Sequence, residues 1–157
     1  MDFPDSFVLK VIKELKPGQV IRCPLLFEDK RDPICKRLIV LSYNNSEIIL
    51  GLTTTSNKFA PTRYYGKDDI YIEPGSESIF EEPTYVQLHR VKSLETKKVI
   101  KLFTENKVTI LGNISDELLG KVYERVDRSE KIEGKYRKRI IEEYNKAKYD
   151  KTHPPTR

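Results

Sequence analysis

The chain has little to offer metal or redox chemistry: of its 157 residues, two are cysteine and two are histidine. Cys23 and Cys35 lack a C-x-x-C spacing and have no histidine near them in the sequence. That pattern argues against a zinc site or a disulfide framework, and the pair reads as reduced thiols in or near strands. No apolar run approaches the ~20 residues a helix needs to cross a bilayer. The N-terminus, MDFPDSFVLK, sets acidic residues before its first lysine, unlike a secretory leader. The expectation is a cytoplasmic protein without a membrane partner. There is no internal repeat. Net charge is missing from most of the chain as well. Residues 1–127 carry 19 Lys and Arg against 19 Asp and Glu, whereas residues 128–157 carry 10 against 5, the whole excess of +5. Any general pull on a polyanion starts at that C-terminal segment.

What is present suits one domain with a modest extension. Apolar residues make up 38% and charged residues 34%, enough for one core under a soluble surface. Val8, Val11, Ile12 and Leu15 fall at helical spacing, and Pro17-Gly18 stops that helix. Residues 20–27 read as a strand, with Pro24 pointing to an edge or a bulge. Strands follow at 38–42 and 47–53, joined through Asn44-Asn45-Ser46 as a hairpin. Residues 57–68 are looser, 70–72 and 85–91 are further strands, and 99–103 is open to either assignment. Residues 107–111 form a strand, and Ser115 caps a helix from 116 to about 126 with Leu118, Leu119, Val122 and Val126 as its apolar stripe. Ile132, Tyr136, Ile140, Tyr144 and Ala147 share one face of a last helix, which must lie against something. Short strands closing on a helix suggest a small, strongly bent sheet or barrel.

The stretch KRLIVLSYNNSEIILGLTTTSN raises the functional question. It brings Lys36-Arg37 to the mouth of one strand and Thr53, Thr54 and Thr55 to the end of the next. Alternation lets only one of Lys36 and Arg37 point into a shared site, and it puts Thr53 and Thr55 on one face. Threonines at a strand end are also ordinary β-formers, and a basic strand entrance is often just solvated.

Three ordered segments carry a resemblance. KPGQVIRCPLLFEDKRDPICKRLIVLS resembles the first strand, loop and second strand of the MazF/PemK toxins, which read G-D-[IV]-[VW] and then R-R-P-x-L-V-L-S. IILGLTTTSN is similar to their third strand, ending in Thr-Ser. EPTYVQLHRVKSLE and KVTILGNISDELLGKV are similar to the closing D-Q-x-R-T and LG-x-[LI]-x-D-E motifs. The likeness spans about residues 16–127. It implies a mainly β fold with a C-terminal helix (α+β), an SH3-like small β-barrel of the MazF/PemK/CcdB type, with extra N-terminal and C-terminal helices. The domain would occupy 17–127, after a helical extension at 1–16 and before a basic helical tail at 128–157 with a disordered end.

The resemblance further implies a sequence-selective endoribonuclease that cleaves single-stranded RNA by 2′-OH attack, without metal or other cofactor. The implied partners are a second copy of the chain and an antitoxin with an acidic, flexible segment. The family's arginine-proline motif falls on Lys36 with Arg37 in the proline's place, and its threonine on Thr53 or Thr55. The aspartate-glutamine motif becomes His89-Arg90, and the following arginine becomes Lys92. Lys36, Arg37, Thr53, Thr55 and His89 are thus the candidate catalytic set. A histidine there could act as acid or base, although a lone histidine in a strand is more often structural. Lys30, Arg31, Arg63, Tyr64, Tyr65, Arg90 and Lys92 are the candidate RNA contacts, the tyrosines as stacking surfaces or, more commonly, core covers. Because four motif positions depart from the pattern, the alternative is a catalytically degenerate barrel serving as a nucleic-acid- or protein-binding module. A third reading is an interaction domain with no nucleic-acid role.

Overall fold

The apolar runs around Leu38 and Leu50 are continuous rather than alternating because both faces of their sheet are covered. The computed structural model describes residues 15–25, 34–44, 46–55, 69–130 and 132–152. Among them the order is β1 (Gln19–Leu25), β2 (Ile34–Tyr43), β3 (Glu47–Thr55), β4 (Ile70–Ile72), β5 (Thr84–Glu95), α1 (Thr96–Thr104), β6 (Thr109–Asn113), α2 (Asp116–Arg128) and α3 (Gly134–Thr152). The strands form one sheet in the order β4-β5-β3-β2-β1-β6, antiparallel at every pairing.

One face is a layer in which Val20, Ile39, Leu41, Ile49 and Val86 meet Leu118, Val122 and Val126 of α2 and Ile140 of α3. The other buries Ile21, Leu38, Val40, Leu50 and Leu52 under Val99 and Phe103 of α1. Each such Leu or Ile contributes about 1.5–3 kcal/mol when fully buried, so neither face can be left open. Residues 99–103, undecided in sequence, are helical: Val99 and Phe103 sit on the buried side while Lys97, Lys98 and Lys101 stay in solvent. At α2 the Ser115 hydroxyl accepts from the Leu118 N–H at 3.1 Å, the cap its sequence called for.

The C-terminal helix is built into the core. Tyr144 of α3 stacks on Tyr123 of α2 with ring centroids 3.8 Å apart. Tyr123 in turn donates to the Leu41 carbonyl at 3.1 Å. The Glu143 carboxylate accepts from the buried Ser42 hydroxyl and, at 3.1 Å, from the Tyr43 N–H. Arg139 pairs with Glu47 and donates to its carbonyl at 2.8 Å. Residues 128–152, expected as a tail, are therefore a structural wall wherever they are described.

Two devices curl the sheet. In β5 the register passes from Gln87 opposite Leu52 to Val91 opposite Gly51, leaving Leu88, His89 and Arg90 as extra residues that bend the strand. The segment 73–82 then crosses from the β4 edge to the β6 edge. Its Glu77 carboxylate accepts from the Ser115 N–H at 2.6 Å and from the Ser115 hydroxyl at 2.8 Å. Ile79 packs on Gly112 (φ +151°), where a Cβ would stand 3.2 Å from its side chain. The result is a mixed α+β fold, mostly strands, in a curled antiparallel half-barrel. Among the described residues no helix is long and apolar enough to cross a membrane. Of the expected helical extension at 1–16 only Leu15 and Lys16 fall within the described residues, and Leu15 is buried under the α1 side.

Candidate functional site

Where 73–82 crosses the sheet it roofs the ends of β2 and β3. The cavity beneath, about 570 Å³, is walled by Lys36, Arg37 and Thr53 on the strand side. Phe80, Glu81, Glu82 and Thr84 form the other wall. Arg37 shares a face with Ile39, and its Nη1 donates to the Ile79 carbonyl at 3.0 Å, fastening the roof to the sheet. The Thr53 hydroxyl, buried on the same face, donates to the Arg37 carbonyl at 2.6 Å. Its proton is committed to holding the β2 backbone. Thr84 does the same on the far wall, donating to the Glu82 carbonyl at 2.9 Å. The hydroxyls therefore shape the cavity, and its exposed charges are left to act on a ligand.

Lys36 alternates onto the other face, opposite Cys23 of β1, and reaches the cavity at its rim, half-buried. Arg37, exposed, is the member of the pair that lies on the cavity's face of the sheet. Glu81 and Glu82 are exposed as well. The cavity thus sets a guanidinium and an ammonium against two carboxylates.

The other expected residues disperse. Thr55 stands opposite Thr84 in the register, one alternation beyond Thr53. His89 and Arg90 belong to the extra residues of β5, next in register to Leu52 and Gly51. The side chains of Thr55, His89 and Arg90 lie outside the described residues, as do Lys30, Arg31, Arg63, Tyr64 and Tyr65 entirely. Lys92 stands opposite Leu50, so it shares the α1 face and points away from the cavity. Glu81, Glu82 and Thr84 were not anticipated. The only trace of them in sequence is an acidic pair wedged between the buried Phe80 and Pro83.

No family model and no curated protein matches this chain.

Among the described residues there is no group of three or more His, Cys, Asp or Glu side chains placed to hold a metal ion. Cys23 and Cys35 are free thiols. Burial pushes the Cys23 thiol up to about 11, the Cys35 sulfur adds to the rise, and Lys98 opposes it. Cys23 is an inert core thiol. Chemically, the cavity can seat an anion on its cationic wall and take a proton on its acidic one.

Proposed function

We propose that this cavity is the active site of a toxin-type, sequence-selective endoribonuclease that cleaves single-stranded RNA by metal-independent 2′-OH attack. The observation that carries the reading is the convergence of Lys36, Arg37 and Thr53, from two strands, in one open cavity facing Glu81 and Glu82. In the reaction a ribose 2′-oxygen attacks its own phosphorus and loses its proton, while the 5′-oxygen leaves and gains one. Glu81 or Glu82 takes the first proton. Arg37 holds the phosphoryl oxygens as charge builds on them. Of the two cations only Lys36 can surrender a proton to the leaving oxygen, since a guanidinium stays charged in proteins. The products are a 2′,3′-cyclic phosphate and a 5′-hydroxyl. Thr53 acts as a positioning residue through the Arg37 backbone. On this reading the half-barrel is an SH3-like barrel of the MazF/PemK type, working in the cytoplasm as a homodimer. An antitoxin with an acidic, flexible segment would neutralise it by covering the cations.

The test is incubation of the purified protein with a long single-stranded RNA, with and without EDTA, beside Arg37→Ala and Glu81→Gln/Glu82→Gln proteins. Cleavage that survives EDTA, leaves cyclic-phosphate ends and is lost in the variants is expected. Wild type no more active than Arg37→Ala rejects the reading. One observation favours the non-catalytic alternative: Arg37 and Thr53 both donate to backbone carbonyls, Ile79 and Arg37 respectively. Tight RNA binding without any cleavage would decide for that binding module.

A further inference from the structure

Like charges directly opposite on an antiparallel pair destabilise it, yet Arg22 of β1 stands opposite Arg37 of β2. Both side chains are exposed, and the register runs on from Arg22 to Thr109 of β6. Cross-strand partners lie roughly 4.5–5.5 Å apart at Cα, so two guanidinium arms leave the sheet side by side. Among the described residues neither is in a salt bridge with a carboxylate. The Arg37 contact is to the neutral Ile79 carbonyl. Two like charges held opposite each other in this way are a cost that a bound anion would relieve.

A second cavity gives the pair its setting. It measures about 450 Å³ and is lined by Arg22, Pro24, Leu102, Lys107 and Thr109. Cys35 lines both this hollow and the first, so the two are neighbours across that residue. A strand passing from one hollow to the other would cross the ends of β3, β2 and β1 as along a trough. Glu81 and Glu82 stand at one end, Lys36 and Arg37 next, and Arg22 beyond. Lys107 closes the trough with its ammonium bridged to Glu105 at 2.9 Å. Pro24 and Leu102 supply apolar wall to the second hollow.

We infer that Arg22 is a second phosphate-binding residue. A single strand of RNA whose reacting phosphate sits on Arg37 lays its neighbouring phosphate on Arg22 and that nucleotide in the second hollow. The inference rests on the reading of the first cavity as an RNA site and names which way the strand leaves it. A guanidinium suits the role because its planar fork grips two phosphoryl oxygens at once, with the Thr109 hydroxyl beside it. Arg22 forms and breaks no bond; it sets where along the trough the scissile linkage lies.

The experiment uses a fully 2′-O-methylated single-stranded RNA, which cannot be cleaved, so binding is read apart from catalysis. Titrations over a salt series compare wild type, Arg22→Ala, Arg22→Gln and the charge-matched control Lys138→Ala on the exposed side of α3. Losing one phosphate contact to a single strand lowers the slope of log K against log salt by about 0.7. Both Arg22 proteins are expected to show that drop and Lys138→Ala none. Thermal unfolding supplies a second readout, since removing one of two opposed like charges should raise Tm by roughly 1–4 °C. An unchanged slope in Arg22→Gln, an equal drop in Lys138→Ala, or a fall in Tm that marks Arg22 as structural overturns the proposal. If the slope falls but unmodified RNA is never cleaved, the subsite stands and the nuclease reading fails. If RNA is cleaved and the slope holds, the reverse is true.

Discussion

Thr53 separates two roles that a strand-end threonine can have. Its hydroxyl proton goes to the Arg37 carbonyl, so a substitution acts on Arg37 through the backbone. Thr53→Ser keeps the donor and should cleave within a few-fold of wild type. Thr53→Val keeps the shape, releases the carbonyl and should lower kcat/KM about 10–100-fold, the scale of a small misplacement of a catalytic group. Equal activity of the two in an RNA-cleavage assay would refute a positioning role. Cys23 makes a prediction of another kind. Burial raises its thiol from 9.0 to about 11, so the folded state holds a proton that the unfolded chain releases first. That contribution is fully present below pH 9 and is lost as pH rises through 11, by roughly 2–3 kcal/mol in all. Urea unfolding of wild type and Cys23→Val across pH 8–11 should show a gap between them that shifts by this amount. Parallel pH curves would rule it out. That Lys36, Arg37 and Thr53 lie near one another was legible from the hairpin that joins their two strands and from alternation. Glu81 and Glu82 were not, because their approach depends on where residues 73–82 cross the sheet, and no local pattern specifies that.

At the scale of elements, α3 shows how far an apolar stripe can be read. Tyr136, Ile140 and Tyr144 identify a helix that needs a partner surface, but not which surface; Ile132, expected on the same helical face, lies before the helix start at Gly134 and is buried in the core from there. The partner is chosen by the buried Ser42 hydroxyl meeting Glu143 and by Tyr144 stacking on Tyr123 of α2. Neither match is visible in periodicity. Ile140 is fully buried in the layer between sheet and helices. Ile140→Ala should cost about 2–5 kcal/mol, measured by urea unfolding, whereas Lys138→Ala on the exposed side should stay within about 0.5 kcal/mol. Glu143→Ala should cost about 1–3 kcal/mol, because it strands a buried hydroxyl. If Ile140→Ala is as mild as Lys138→Ala, α3 is not part of the folding unit. The ambiguity at 99–103 has a similar origin. A short apolar run fits strand or helix alike, and burial of Val99 and Phe103 against the second sheet face settles it.

For the whole molecule, the covering of both sheet faces explains the unbroken apolar strands. The strand order was beyond the sequence: β1 pairs with β6 across most of the chain length, a choice made by packing. The same integration changes what the charge asymmetry means. Residues 128–157 carry all of the net +5, which suggests a detachable nucleic-acid anchor. Yet removing everything after Asp127 would also uncover Tyr123, the Ser42 hydroxyl and the face that Ile140 covers. Truncation should therefore abolish the cooperative unfolding transition and near-UV dichroism and produce dye-binding apolar surface, as in loosely packed states. A loss of RNA affinity in that fragment would report unfolding, not a missing anchor. The charge is tested instead by Lys135→Ala, Lys138→Ala and Lys146→Ala together, at exposed positions that leave the core intact. If the trough holds the strand, this triple variant keeps the wild-type salt slope within about 0.3, while Arg37→Ala loses about 0.7 by itself. A triple variant whose slope drops by about 2 would move the RNA from the trough to the helix.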